Sequence, residues 1–566
     1  MQKFLPILSW LTQYRKGWLK DDLIAGLTVG VMLIPQGMAY ALIAGLPPEY
    51  GLYASVVPLI IYAILGTSRH LAVGPVALIA LLVASAVSPL ADSPEEYIAL
   101  SVLLALMIGV IQFVLGLLRM GFLVNLLSHP VLSGFVSAAA IVIGLSQLHH
   151  LLGVEAVSGG LHEIVYGIGT QLTGVHLWTL LIGLAAIALI FIIKKTAPKI
   201  PGSLAAVVAG VVIVVVTGLN QAGVSIVGDI PEGLPAFSVP VLEWSSIAAL
   251  IPMALAISLV AFMESIAVAK AIQQKAGNYQ VDANQELIAL GAANIGGSLF
   301  QSFPVTGGFS RTAVNYDSGA RTGLASMVSA AVVAITLLFL TPLFYYLPHA
   351  VLAVIIMVAV YGLIDVKEFR KLWQLGHYDR YMYLATFAGT LFIGIEEGIL
   401  LGVALSVLML VYRSARPHHT VMGRLPGTSV YRNINRYETD KDDGVLVFRF
   451  DAPLHFANAE YFREQVYELI LNHPQTELLI LDFNGVNDID ATGLDELLEV
   501  TEHLNEKGVD VRMAQVKGPV RDLITKGVSQ NREIQFYMTI EDAVEAAENQ
   551  GDVKTDNASS ENIEKR

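Results

Sequence analysis

The chain has 566 residues, 54% hydrophobic and only 14% charged, with a mean hydropathy of +0.61. So little polar surface cannot coat several water-soluble cores, and most of the chain belongs in lipid. A formal net charge of -14 argues against nucleic acid as a partner, and the lack of cysteine removes disulfides, thiolate metal sites and cysteine nucleophiles.

Charged residues are sparse from Asp22 to Tyr412 and dense from Arg413 onward, which separates a membrane part from a soluble, acidic part. Residues 1–20 lack the long apolar core and cleavage site of a signal peptide. Phe4, Leu5, Leu8, Trp10 and Leu11 beside Arg15, Lys16, Trp18 and Lys20 predict an interfacial helix there. Residues 21–415 hold about fourteen hydrophobic windows of spanning length, some short or broken. Clear ones are Leu23 to Leu42, Leu100 to Leu118, Leu177 to Ile193, Leu204 to Leu219 and Leu324 to Leu340. Lys and Arg collect before the first span and after even-numbered ones (Arg69, Arg119, Lys194, Lys270, Arg321, Lys367, Arg413), while the connections Leu148 to His176 and Asn220 to Trp244 contain none. Basic loops stay inside, so both termini are predicted to be cytoplasmic, in a multi-pass protein of the plasma or inner membrane. Residues 416–440 read as a linker. From 441 to 549 strands and helices alternate: Val445 to Phe450, Glu460 to Leu471, Leu478 to Asp482, Leu494 to Glu506 and Val509 to Met513, then two short helices. That pattern is a small α/β domain. Residues 550–566 read as a disordered acidic tail.

Several segments carry a more specific signal. Pro48-Glu49-Tyr50-Gly51-Leu52-Tyr53-Ala54-Ser55 leads through an apolar stretch to Gly66-Thr67-Ser68-Arg69. This run closely resembles the signature of the sulfate permease (SulP) family, and Gln36 to Tyr40, Gly74 to Ala77 and Gly307 to Asn315 resemble further family segments in the expected order. The resemblance covers essentially the whole chain. It implies a polytopic α-helical transporter of 7+7 inverted repeats, divided into uracil-permease-like core and gate parts, usually a homodimer, followed by a STAS domain. Leu479 to Asp482 and Asp490 to Leu494 resemble the STAS domain itself, in whose wider family the position of Thr492 is a phosphorylation site. The residues alone also permit Thr492 and Asp495 to form a capping box for the following helix. A cytoplasmic partner for this domain is an open expectation.

Interrupted segments at Gly74-Pro75 and Gly307-Gly308 lie at corresponding places in the two halves, as an inverted-repeat carrier requires. A helix beginning in mid-membrane offers unpaired N–H groups and a positive dipole end to an oxyanion. Pro75 suits the first turn of one such helix, Val76 and Ala77 lie beside it, and Ser310 or Thr312 can cap or line the other. Arg311 adds full charge and a planar fork that suits oxyanions; the competing reading is that it only balances Glu264. Gln36 and Tyr40 share a face of the first span, and Phe262 or Phe309 is a candidate for closing the pocket. Glu264 lies in the apolar run Ile251 to Ala269, where an acid can load and release a proton. In the resembling family an acid at this level is associated with the coupling ion, and sodium-coupled bicarbonate members tend to carry aspartate.

The function expected is therefore secondary transport of a small inorganic oxyanion, sulfate with protons, by an elevator or rocking motion and without enzymatic activity, cofactor or metal. Sodium-coupled bicarbonate or dicarboxylate transport, and uncoupled exchange or channel activity, are the alternatives. His149, His150 and His162 lack metal-ligand spacing and read as solvated loop, and Glu396-Glu397 as an outer turn.

Overall fold

The computed structural model describes residues 5–122, 128–155, 161–197, 201–277, 279–375, 377–440, 444–527, 534–547 and 549. Phe4 and the 550–566 tail lie outside the described residues. The chain divides into two units, Met1–Ser406 and Val407–Arg566.

After a short helix α1 (Ile7–Leu11), seven helical segments form the first half of the first unit: α2 (Lys16–Ile43), the pair α3 (Pro48–Tyr53) and α4 (Val57–Leu65), α5 (Ala77–Val87), α6 (Pro94–Leu117), α7 (His129–Ser146) and, beyond two short helices α8 (Leu148–Leu152) and α9 (Leu161–Thr170), α10 (Leu177–Thr196) and α11 (Gly202–Thr217). The connection over 218–243 leads to seven more: α12 (Trp244–Ala276), α13 (Ala283–Ser298), α14 (Phe309–Asp317), α15 (Leu324–Ile335), α16 (His349–Tyr361), then, past α17 (Val366–Leu375), α18 (His377–Ala388) and α19 (Ile395–Ala415). Among the described residues, nine helical stretches are long and apolar enough to cross a membrane. The two-residue strands β1 (Val73–Gly74) and β2 (Thr306–Gly307) each precede the third segment of their half.

Packing repeats across the halves. The first segment of each packs on the fourth of the other, α2 on α15 and α12 on α6, and the fifth on the sixth, α7 on α18 and α16 on α10. Contacts thus sort into a core layer (α2 to α6 with α12 to α15) and a gate layer (α7, α10, α11, α16, α18). In lipid there is no hydrophobic drive between helices, so close approach comes from small residues. A Cβ at Gly51 would stand 1.9 Å from the Gly37 carbonyl oxygen, one at Gly291 2.5 Å from the Phe113 nitrogen, and one at Gly26 2.6 Å from the Ala325 carbonyl oxygen.

Two buried carboxylates tie loops to the core. Glu286 accepts from Tyr62 Oη (2.7 Å), Thr67 N (2.7 Å), Thr67 Oγ1 (2.5 Å) and Ser68 N (3.1 Å). Asp22 accepts from Arg321 N (2.6 Å), Thr322 N (3.0 Å) and Thr322 Oγ1 (2.7 Å), with Tyr14 Oη at 3.1 Å. Such satisfaction is what makes a carboxylate tolerable there.

The second unit is a six-stranded sheet in the order β4-β3-β5-β6-β7-β8, built from β3 (His419–Arg424), β4 (Tyr431–Asn433), β5 (Val445–Phe450), β6 (Leu478–Asp482), β7 (Asp510–Ala514) and β8 (Phe536–Tyr537). β3 pairs antiparallel with β4 and β5, and β5 to β8 are parallel. Phe462 and Val466 of α20 (Ala459–Asn472), Leu497, Val500 and Leu504 of α21 (Ala491–Glu506), and Val520 and Ile524 of α22 (Gly518–Gly527) cover one face, joining Phe448, Phe450, Leu479 and Leu481. β6 is buried along its whole length, as a central parallel strand should be.

Four expectations change. Residues 416–440 are not a plain linker: β3 and β4 complete the sheet, because Thr420 to Met422 pair with Val447 to Arg449. Arg15 to Lys20 do not form a separate interfacial helix: Lys16 onward continues into α2, and Trp10 is buried, close to Gly323. The stretch Leu148 to His176 contains α8 and α9, with His149 and His150 half-buried and their rings 3.9 Å apart; His162 lies in α9. Glu397 lies in the first turn of α19 rather than in a free turn, and the side chain of Glu396 lies outside the described residues.

Gly51→Ala is expected to cost on the order of 3 kcal/mol by overpacking and to deplete monodisperse protein in size-exclusion chromatography. Gly169→Ala, where nothing lies within 4 Å of the added carbon, should behave as wild type.

Candidate anion site

β1 and β2 pair antiparallel, Val73 with Gly307 and Gly74 with Thr306. Each runs into a helix too short to span, 11 residues in α5 and 9 in α14. At ~1.5 Å per residue these are roughly 16 and 14 Å long, half of a ~30 Å hydrocarbon layer. Antiparallel pairing sends them away from the ladder in opposite directions, so their N-termini flank it. Neither N-cap residue, Val76 or Gly308, makes a side-chain cap. The first N–H groups of both helices therefore have no intrahelical acceptor.

A hydroxyl and amide framework holds this crossing. Thr306 Oγ1 donates to Ala261 O (2.6 Å) and meets Ser265 Oγ at 2.6 Å, and Ser265 Oγ accepts from Gly307 N at 2.7 Å. Gly308 N donates to Ala72 O (3.0 Å) and Asn315 Nδ2 to His70 O (2.9 Å). Asn294 brackets Val305, accepting from its N–H at 2.9 Å and donating to its carbonyl at 3.1 Å.

Arg311 lies in the first turn of α14 and is only 2% exposed. Its side chain folds back over the crossing: Nη2 is 2.7 Å from where a Cβ at Gly308 would stand and 3.5 Å from one at Gly74. Leu33 of α2 approaches Gly74 as closely, at 3.5 Å from that same point, and Ser55 Oγ lies at 3.9 Å. Arg311 Nε and Nη2 are buried and have no hydrogen-bond partner among the described residues, and the same holds for Gln36 Oε1 and Glu264 Oε2. Tyr40 and Glu264 lie within electrostatic reach of the guanidinium. Among the described residues no ion pair joins Arg311 to Glu264, so pairing does not explain the arginine.

The structure brings Tyr40, Glu264 and Arg311 within electrostatic reach of one another, with Gln36 buried one turn from Tyr40 on α2 and Val76 and Ala77 at the start of α5, beside the ladder. Other candidates move. Pro75 precedes the N-cap of α5 rather than filling its first turn, since the ladder holds the backbone extended up to Val76. Thr312 Oγ1 donates to Gly308 O (2.7 Å) and accepts from Ala72 N (3.0 Å), so it positions the crossing and has no proton left for a ligand. Ser310 is exposed and caps nothing, because Gly308 is the N-cap. Phe262 is packed in the core, 1% exposed, whereas Phe309 is 60% exposed at the mouth of α14. Ser265 and Thr306 went unnoticed in the sequence and Ser55 was read only as part of the family signature; of the three, Thr306 alone adjoins a glycine.

In the second unit Thr492 is exposed in the first turn of α21, and the capping box with Asp495 is not formed. Asp490 is the N-cap instead, accepting from Gly493 N at 2.8 Å and, through its other oxygen, from Phe456 N at 2.9 Å. Burial is the largest single influence on Asp490 and raises its pKa, but the backbone donors of Gly493 and Phe456 outweigh it and hold the carboxyl below its ordinary value.

The model of the sulfate permease family matches residues 19–386, and that of the STAS domain residues 436–543. The chain belongs to the sulfate permease family. It is 39% identical to sulfate transporter 4.1, chloroplastic, of Arabidopsis thaliana, over 95% of this chain and 82% of that one. It is 38% identical to a probable sulfate transporter of Mycobacterium tuberculosis, over 96% and 97%. Among solved structures, SLC26A9 superimposes with a TM-score of 0.88 at 28% identity, covering 98% of this chain and 94% of that one. The transmembrane domain of the cyanobacterial bicarbonate transporter BicA shares the fold, with a TM-score of 0.61 at 24% identity over 70% of this chain and 98% of that one. The protein is thus a multi-pass membrane permease with a STAS domain.

Since the atoms that a Gly308 side chain would strike belong to the far end of the Arg311 side chain and not to backbone, Gly308→Ala should leave the fold intact and displace the guanidinium. The expected outcome is monodisperse protein of wild-type melting temperature with weakened sulfate uptake in proteoliposomes.

Proposed function

We propose that the chain is a secondary active transporter that takes up sulfate, or a similar small inorganic oxyanion, together with protons. The reading rests on Arg311: a buried guanidinium with two unpartnered nitrogens, set between two uncapped helix N-termini. A buried cation without a protein partner is costly, and an oxyanion between it and the helix ends offsets that cost. Gln36, Tyr40 and the N–H groups following Val76 and Gly308 complete its hydrogen bonds, with Ser310 at the rim. The relatives named as sulfate transporters support the choice of anion, and the SLC26A9 neighbour, itself titled an anion transporter, supports the class.

Glu264 carries the coupling proton. Close enough to feel Arg311 yet not paired with it, it binds a proton more readily as the anion neutralises the arginine, which links the two loads. All of these groups ride on the core layer, so the layer carries the site past the gate layer in an elevator or rocking motion. The permease works as a homodimer in the plasma or inner membrane with both termini cytoplasmic, the orientation that the basic loops favour. A phosphate on exposed Thr492 at the N-terminus of α21 would be electrostatically favourable and would regulate the domain toward a cytoplasmic partner.

Uptake of sulfate, bicarbonate and fumarate into proteoliposomes under separate proton and sodium gradients tests the substrate and the coupling. Uptake driven by sodium alone refutes proton coupling. Arg311→Ala is expected to weaken sulfate binding on the order of a hundredfold or more, read by isothermal calorimetry in detergent; wild-type affinity in that variant sinks the site. Glu264→Gln should flatten the pH dependence of uptake and retain measurable sulfate binding.

A further inference from the structure

At the membrane face where the basic loops collect, a cavity of about 740 Å³ opens between the ends of α4 and α6, the start of α13 and α1. Its wall includes two arginines, Arg69 and Arg119, together with Ser9, Tyr279 and Gln280. Arg69 lies over the Tyr279 ring, its guanidinium carbon 5.7 Å from the centroid, and Arg119 is exposed. Among the described residues neither arginine makes an ion pair. One acid, Asp282, also lines the wall, and its Oδ1 caps the N-terminus of α13, accepting from Asn284 N at 2.8 Å and Gln285 N at 3.1 Å. Two arginines against one capped aspartate leave the cavity net cationic, with two guanidinium forks, the Ser9 hydroxyl and the Gln280 amide in its wall, while the Tyr279 hydroxyl is engaged by His70 at 3.0 Å.

What leads to it is apolar. Val110, Val114 and Leu117 recur at helical spacing along α6, 44%, 44% and 58% exposed, and Leu118 and Phe122 continue the strip at 65% and 60%. This stripe faces lipid and ends beside Arg119 and the cavity, at the depth where α6 leaves the hydrocarbon. A soluble phosphate compound needs no such stripe, whereas an acyl chain does. We propose that this cavity binds the phosphate headgroup of an anionic glycerophospholipid, held by Arg69 and Arg119, with an acyl chain along Val110, Val114 and Leu117. The site is separate from the β1–β2 crossing and would make the permease respond to the charge of its own leaflet.

The full chain, purified in detergent and mixed with phosphatidylglycerol and phosphatidylcholine, can be assayed by native mass spectrometry for retained lipid. The expected result is preferential retention of phosphatidylglycerol, reduced about tenfold or more in Arg69→Gln/Arg119→Gln. Arg119→Gln alone, on an exposed side chain, should lose part of the preference without touching the fold. Undiminished preference in the double variant overturns the proposal, as does an equal loss in Lys367→Gln, an exposed cation elsewhere. Displacement of the lipid by inorganic phosphate or glycerol phosphate at comparable concentrations also overturns it, assigning the cavity to a soluble anion.

Discussion

The core layer of the membrane unit is arranged around a guanidinium two of whose nitrogens find no hydrogen-bond partner among the described residues. Arg311 is buried, its Nε and Nη2 are unpartnered, and the nearest acid, Glu264, does not form an ion pair with it. Such a group persists in a low-dielectric interior only if the surrounding structure over-determines its position. The ladder of Val73-Gly74 with Thr306-Gly307 supplies that rigidity, reinforced by Thr306, Ser265, Thr312 and Asn294. A ladder of two residues would be worthless alone. It holds because each end is bonded to side chains of neighbouring helices, which turns two broken helices into one fixed element.

The rest of the core layer follows from bringing those two breaks together. Broken backbone is tolerated at membrane depth only where protein or a polar cavity surrounds it, so long helices must wrap the crossing closely. Gly37 against Gly51 and Gly109 against Gly291 allow that approach, where any side chain would strike backbone. Glu286 and Asp22 then anchor the turns at the ends of these helices, each carboxylate serving the opposite half of the chain. Packing of first on fourth and fifth on sixth segments repeats in both directions, as expected when two related halves clasp one another.

Apolar spans, their approximate number, the boundary near Arg413, the α/β alternation and the two broken segments were legible from the chain alone, because membrane partition and strand burial are read from local composition. The family signature at Pro48 to Arg69 was legible as well, and Arg311 stood out as a cation beside the second break, between the apolar spans. Helix caps were not. Thr492 with Asp495 satisfied the spacing of a capping box, yet Asp490 took the position, its carboxylate accepting from Gly493 N and, through the other oxygen, from Phe456 N far back in the chain. β3 and β4 were hidden in a polar stretch whose pairing partner, β5, lies more than twenty residues on.

What the sequence by itself determined is the medium in which each part folds and the two places where the membrane helices break, since these depend on the transfer free energy of successive side chains and on glycine and proline. Which groups meet was decided only by tertiary structure. Thr312 and Arg311 are adjacent in the chain and equally plausible as anion ligands. The Thr312 hydroxyl donates to Gly308 O and accepts from Ala72 N, 240 positions away, while Nε and Nη2 of Arg311 have no partner among the described residues. Hydrogen-bond satisfaction depends on partners distant in the chain, so no local pattern could tell which of the two neighbours would be fully bonded within the protein.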